Sequence, residues 1–127
     1  RPVPADDEYQ TILVVDDDEH VRAVARDVLR ENGYRVLEAR TGEGAEELAA
    51  RYGGSIQLLV TDVIMPGING RQLASELTAS QPGMKVIFMS GYTGELVMHQ
   101  EAQNGIRLLE KPFTRAALLK TIDEVLG

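Results

Sequence analysis

The feature that most constrains this chain is an alternation: short, nearly continuous apolar runs take turns with stretches whose apolar residues recur at helical spacing. Thr11-Ile-Leu-Val-Val15 is the first such run, and a strand that apolar has to be covered on both faces. Val21, Val24, Ala25, Val28 and Leu29 follow at helical spacing, with Asp18 placed to cap the helix and Gly33 to stop it. Tyr34 to Ala39 reads as a second strand. Thr41 then caps a helix that turns Ala45, Leu48 and Ala49 inward and ends at Gly53-Gly54. Ile56 to Thr61 is a third strand, followed by a loop from Asp62 to Gly67 and a helix with Leu73, Ala74 and Leu77 that runs to Pro82. Met84 to Met89 is the fourth strand, Glu95 to Gln103 a helix with few apolar anchors, and Ile106 to Leu109 the fifth strand. After Pro112, Thr114 is placed to cap a last helix with the stripe Leu118, Leu119, Ile122, Val125 and Leu126.

Five strands alternating with five helices predict right-handed βαβ units, and so an α/β, doubly wound parallel sheet covered on both faces. The 127 residues suffice for one domain and its core. Residues 1–10, with Pro2 and Pro4 among charged neighbours, are expected to be a linker or chain end, and residues 11–127 the folded domain. No cysteine is present, which excludes disulfides and thiolate metal sites. No apolar run approaches the roughly 18 residues of a membrane helix, and no basic-then-apolar leader opens the chain. No membrane insertion by this domain and a cytoplasmic location are therefore expected. A net charge of −7 argues against nucleic acid contact by the domain, because phosphate binding wants a basic face.

A doubly wound sheet binds its ligand beyond the carboxyl ends of its strands. Asp16, Asp17 and Asp18 follow the first strand, Asp62 the third, Ser90 the fourth and Lys111 the fifth. Clustered Asp16, Asp17 and Asp62 repel one another unless a cation lies among them. Oxygen donors without His or Cys select a hard ion, and few carboxylates plus water suit Mg²⁺. Lys111 and Ser90 add a point positive charge and a hydroxyl donor, as the oxygens of a phosphoryl group require. A carboxylate can itself attack phosphorus, and Asp62 is the central candidate because the third strand is expected beside the first. Acids after a strand often only cap the next helix, and Asp18, with Asp17 as a second candidate, fits that role. Polar groups at four separate strand ends exceed that explanation.

With these residues in place, the chain resembles the receiver domain of the two-component (response regulator) family, from about Thr11 to Leu126. Its motifs are Ile12-Leu-Val-Val-Asp-Asp-Asp18, Thr61-Asp-Val-Ile-Met-Pro-Gly67, Phe88-Met-Ser-Gly-Tyr92 and Leu109-Glu-Lys-Pro-Phe113. The resemblance implies a flavodoxin-like (βα)5 fold with strand order 2-1-3-4-5, and it makes Asp62 the phosphoacceptor. It implies Mg²⁺ bound by Asp17, Asp62 and the backbone carbonyl of Ile64, with Asp16 acting mainly through water. Ser90 would bond a phosphoryl oxygen, Gly91 leave the phosphate accessible, Lys111 pair with it, and Lys111-Pro112 form a cis peptide. Ile64 and Tyr92 would flank the path of the water that removes the phosphate. Leu108 stands where many receivers carry an aromatic residue, which implies a weaker activation switch.

The implied partner is a histidine kinase or histidine phosphotransfer domain, and the implied state a monomer or weak dimer. The chain is most like the carboxyl-terminal receiver of a hybrid sensor histidine kinase; the alternatives are a stand-alone regulator or a receiver cut from a regulator with an output domain. Such a domain catalyses only its own phosphorylation and dephosphorylation. Other classes fit less well. A phosphatase of the haloacid-dehalogenase type would match Asp16-x-Asp18, but His20 stands where it needs Thr or Val, and the length leaves little room for a cap. A flavodoxin would need a Ser/Thr/Gly phosphate loop where the aspartates lie. A purely docking receiver would need a broken pocket, and none of these residues is missing. His20 and His99 are isolated and are expected to be surface residues.

Overall fold

The computed structural model describes residues 10–53, 55–91 and 107–126. Five strands, β1 (Thr11–Val15), β2 (Arg35–Ala39), β3 (Leu58–Asp62), β4 (Lys85–Ser90) and β5 (Arg107–Glu110), form one sheet. Four helices are described: α1 (Glu19–Glu31), α2 (Gly42–Arg51), α3 (Gly70–Ser80) and α4 (Arg115–Leu126). All strand pairs are parallel and the order is β2-β1-β3-β4-β5. This is the flavodoxin-like doubly wound sheet that the sequence implied. The helix expected between Glu95 and Gln103 lies outside the described residues, as do Tyr92, His99 and residues 1–9.

Side chains of β1 alternate between two cores, which is why the run reads as continuously apolar. Leu13 and Val15 join Leu59, Leu73, Leu77 and Phe88 on the face of α2 and α3. Ile12 and Val14 join Ala25, Leu29, Val60, Leu118 and Ile122 on the face of α1 and α4. The caps fall where the sequence put them. Asp18 caps α1 by accepting from the N–H groups of His20 and Val21, and Thr41 caps α2 by accepting from Gly44. Thr114 accepts from the N–H of Ala117 at the start of α4. Gly33, at φ 91°, takes the left-handed turn after α1. Among the described residues, no helix is long and apolar enough to cross a membrane.

The strand ends are shifted from expectation, with a consequence for the site. The third strand was expected over Ile56 to Thr61 with Asp62 in the loop. Instead β3 runs Leu58–Asp62, with Asp62 paired to Met89 of β4. Ile56 is drawn off by Gln81, whose side-chain oxygen accepts its N–H at 2.9 Å. At the other end the ladder continues through Val63, whose N–H reaches the carbonyl of Met89 at 3.1 Å. Asp62 is therefore held by the sheet rather than by a loop.

Candidate functional site

The first strand delivers its aspartates one after another. Asp16 is fully buried and every polar group it carries is engaged. Its N–H donates to Ala39 O (3.3 Å), and its Oδ1 accepts the Asp18 N–H (2.9 Å). Its Oδ2 accepts the Lys111 ammonium (2.9 Å), and its carbonyl accepts Arg22 Nη1 (2.7 Å). Asp17, the next residue, is exposed. Asp62 closes β3, nearly buried, with Oδ2 at 3.2 Å from Lys111 Nζ. Carboxylate oxygens of Asp16, Asp17 and Asp62 all lie within 4.8 Å of one another.

Ser90 ends β4 one residue beyond Met89, the partner of Asp62, and is buried. Its Oγ has no hydrogen-bond partner among the described residues. Lys111 is anchored just past β5: its N–H donates to Ser90 O at 2.8 Å, and a cis peptide joins it to Pro112. Among the described residues, a Cβ at Gly91 would meet nothing within 4 Å. Ile64 lies two residues beyond Asp62 with its side chain largely exposed, and its backbone N–H helps to lower the Asp62 pKa.

Two opposed effects set the charge state of Asp62. Burial and the neighbouring Asp16 carboxylate push its pKa above the usual aspartate value, while Lys111 and the Ile64 N–H pull it down without cancelling the rise. Burial penalises the Lys111 ammonium, but hydrogen bonds and charge from Asp16 and Asp62 outweigh that and hold its pKa above the usual lysine value. The ammonium is thus a fixed cation between two carboxylates. All-oxygen donors at this spacing, with more negative charge than Lys111 offsets, suit a hard divalent cation.

The structure brings Asp16, Asp17, Asp62 and Lys111 together, with Ser90 at the same edge. The Asp18 carboxylate caps α1, while its N–H donates to Asp16. Arg22 was not anticipated. It is buried, braces the Asp16 carbonyl and pairs with Glu38 of β2 (3.7 Å). Its signal was a charged residue three positions before the buried Ala25, on the inward face of α1.

The fold and this edge define a class: a doubly wound signalling domain whose strand ends gather acids, a lysine and a hydroxyl. The response regulator receiver domain model matches residues 12–123, and the chain belongs to that family. Over 117 residues it is 36% identical to the sensor kinase CckA of Brucella abortus (strain 2308), covering 91% of this chain and 12% of that protein. It is 31% identical over 116 residues to the response regulator receiver protein CpdR of the same organism, covering 91% and 95%. Among solved structures, it is similar to the receiver domain from the hybrid histidine kinase CckA. That match has a TM-score of 0.77 at 36% identity and covers 92% of this chain and 99% of that one. The chain is a receiver domain of two-component systems, close to that hybrid-kinase receiver.

Proposed function

We propose that this receiver takes a phosphoryl group onto Asp62 from a phosphohistidine of a kinase or phosphotransfer partner, with Mg²⁺ in the acid cluster. The observation that carries the reading is Lys111 Nζ, 2.9 Å from Asp16 and 3.2 Å from Asp62 in a group of three carboxylates. An Asp62 oxygen attacks phosphorus, the O–P bond forms as the histidine N–P bond breaks, and the imidazole leaves with the bond's electron pair. Lys111 and the Ser90 hydroxyl pair with phosphoryl oxygens of the product, and their placement in advance lowers the barrier.

Asp16, Asp17, Asp62 and the Ile64 carbonyl would hold the metal. When bound, Mg²⁺ supplies positive charge to the transferring oxygens and relieves the repulsion among the carboxylates. The similarity to a hybrid-kinase receiver favours a parent chain that contains a histidine kinase core. Isothermal calorimetry tests the metal assignment. Asp17→Ala should lose Mg²⁺ binding, because Asp17 is the exposed carboxylate of the set. Equal heats from variant and parent would remove it from the site.

A further inference from the structure

Helix α3 begins closer to Asp62 than any side chain would permit. Gly70 is its first residue and is buried. A Cβ built there would fall 2.0 Å from the carbonyl oxygen of Asp62, 2.9 Å from its carbonyl carbon and 3.1 Å from Val63 Cα. Relieving that overlap would take more than 1 Å of movement by the helix or the peptide, since ordinary contact begins near 3.4 Å. Conformation does not explain the glycine: only Gly33 and Gly67 have positive φ among the described residues. The need is for space. Gly42 is a contrast, because a Cβ there would press mainly on the Ile68 side chain at 2.9 Å and its carbonyl at 3.0 Å, not on the acceptor peptide.

Other contacts hold this peptide and the one after it. The Gly70 N–H donates to Val63 O at 2.9 Å, and the Val63 N–H donates to Met89 O at 3.1 Å. The Thr61 hydroxyl donates to the Asp62 carbonyl at 3.1 Å. Asn69 fixes the first turn of α3, its Oδ1 accepting the Gln72 N–H at 2.8 Å. We propose that Gly70 is a positioning residue for the acceptor: its bare backbone lets α3 rest on the Asp62–Val63 peptide, and that contact aims the Asp62 carboxylate. The inference rests on Asp62 being the acceptor. A displacement of about 1 Å in a reacting group can cost about 100-fold in rate.

The test compares Gly70→Ala with Leu77→Ala, which opens a cavity in the same helix away from the acceptor. Each variant is reacted with acetyl phosphate and Mg²⁺, and the ¹⁹F resonance of its beryllofluoride complex is recorded. Gly70→Ala should react on the order of 100-fold more slowly and shift or lose the bound ¹⁹F resonance. Leu77→Ala, corrected for its folded fraction, should keep the parent rate and resonance. A Gly70→Ala rate within threefold of the parent overturns the inference. If Gly70→Ala does not fold, Asn69→Ala decides. It loosens the first turn without crowding, and should slow the reaction several-fold with an altered resonance; parental values overturn the inference. A parent chain that takes no phosphoryl group would instead refute the acceptor reading.

Discussion

Replacing Lys111 with methionine removes the cation between Asp16 and Asp62 while keeping most of the buried stem. Each contact, near 3 Å, is worth roughly 5 kcal/mol of gross attraction at an effective dielectric of about 20. Desolvation of the three groups offsets much of this. Asp16 and Asp62 are 0% and 11% exposed and Lys111 is 21% exposed. Stripping one partner from such a buried set typically costs about 3–5 kcal/mol, and the partial exposure of Lys111 favours the lower end, about 3 kcal/mol. That loss should appear in urea unfolding at neutral pH with EDTA present.

Its pH dependence follows from the charges. In the parent, Lys111 and the Ile64 N–H pull the Asp62 pKa down without cancelling the rise from burial and Asp16. Without Lys111 the folded pKa rises further above that of the unfolded chain, so the variant gains more stability than the parent as pH falls from neutral toward the ordinary carboxylate range. The gap to the parent narrows on the acid side. On the alkaline side, the contribution of Lys111 is complete below the ordinary lysine pKa and is lost as pH rises through its raised folded value, so the gap narrows there too. Mg²⁺ at roughly tenfold over its Kd should restore about 1.4 kcal/mol to the variant. A variant within about 0.5 kcal/mol of the parent in EDTA, the usual range for an uncoupled surface change, would refute the reasoning.

Two further outcomes concern the phosphorylated state. Ile64 offers no polar group to orient a water near Asp62, so Ile64→Asn should shorten the life of the aspartyl phosphate in a dephosphorylation assay; an unchanged or slower rate refutes this. Leu108, half-buried against the α2–α3 core and paired with Phe88, has no ring to carry a change at Ser90 to the surface. Coupling should be about 1 kcal/mol, with beryllofluoride-induced amide shifts confined to the loops after Asp17, Asp62, Ser90 and Lys111. Large shifts across residues 107–119 would contradict it.

Most of the site was legible because it sits where strand periodicity ends, and those ends can be read from apolar runs alone. Asp16, Asp17, Asp62 and Ser90 were each found as the first polar residue or residues after such a run, and Lys111 one step further, after Glu110. The strand limits were off by one or two residues because hydrogen bonds outside the pattern moved them. Gln81 claims the Ile56 N–H, and the Met89 carbonyl extends pairing to Val63. Arg22 was hidden because an inward-facing arginine is legible only once Glu38 and the Asp16 carbonyl are in place. Gly70 was hidden for a similar reason: periodicity reports what side chains bury, and here the constraint is that there can be none.

The most direct test of the account is covalent. With Mg²⁺ and acetyl phosphate, intact mass spectrometry should show a single phosphoryl adduct that is acid-stable, base-labile and absent from Asp62→Asn. An adduct that persists in Asp62→Asn, or a parent chain that takes none, would contradict Asp62 as the acceptor.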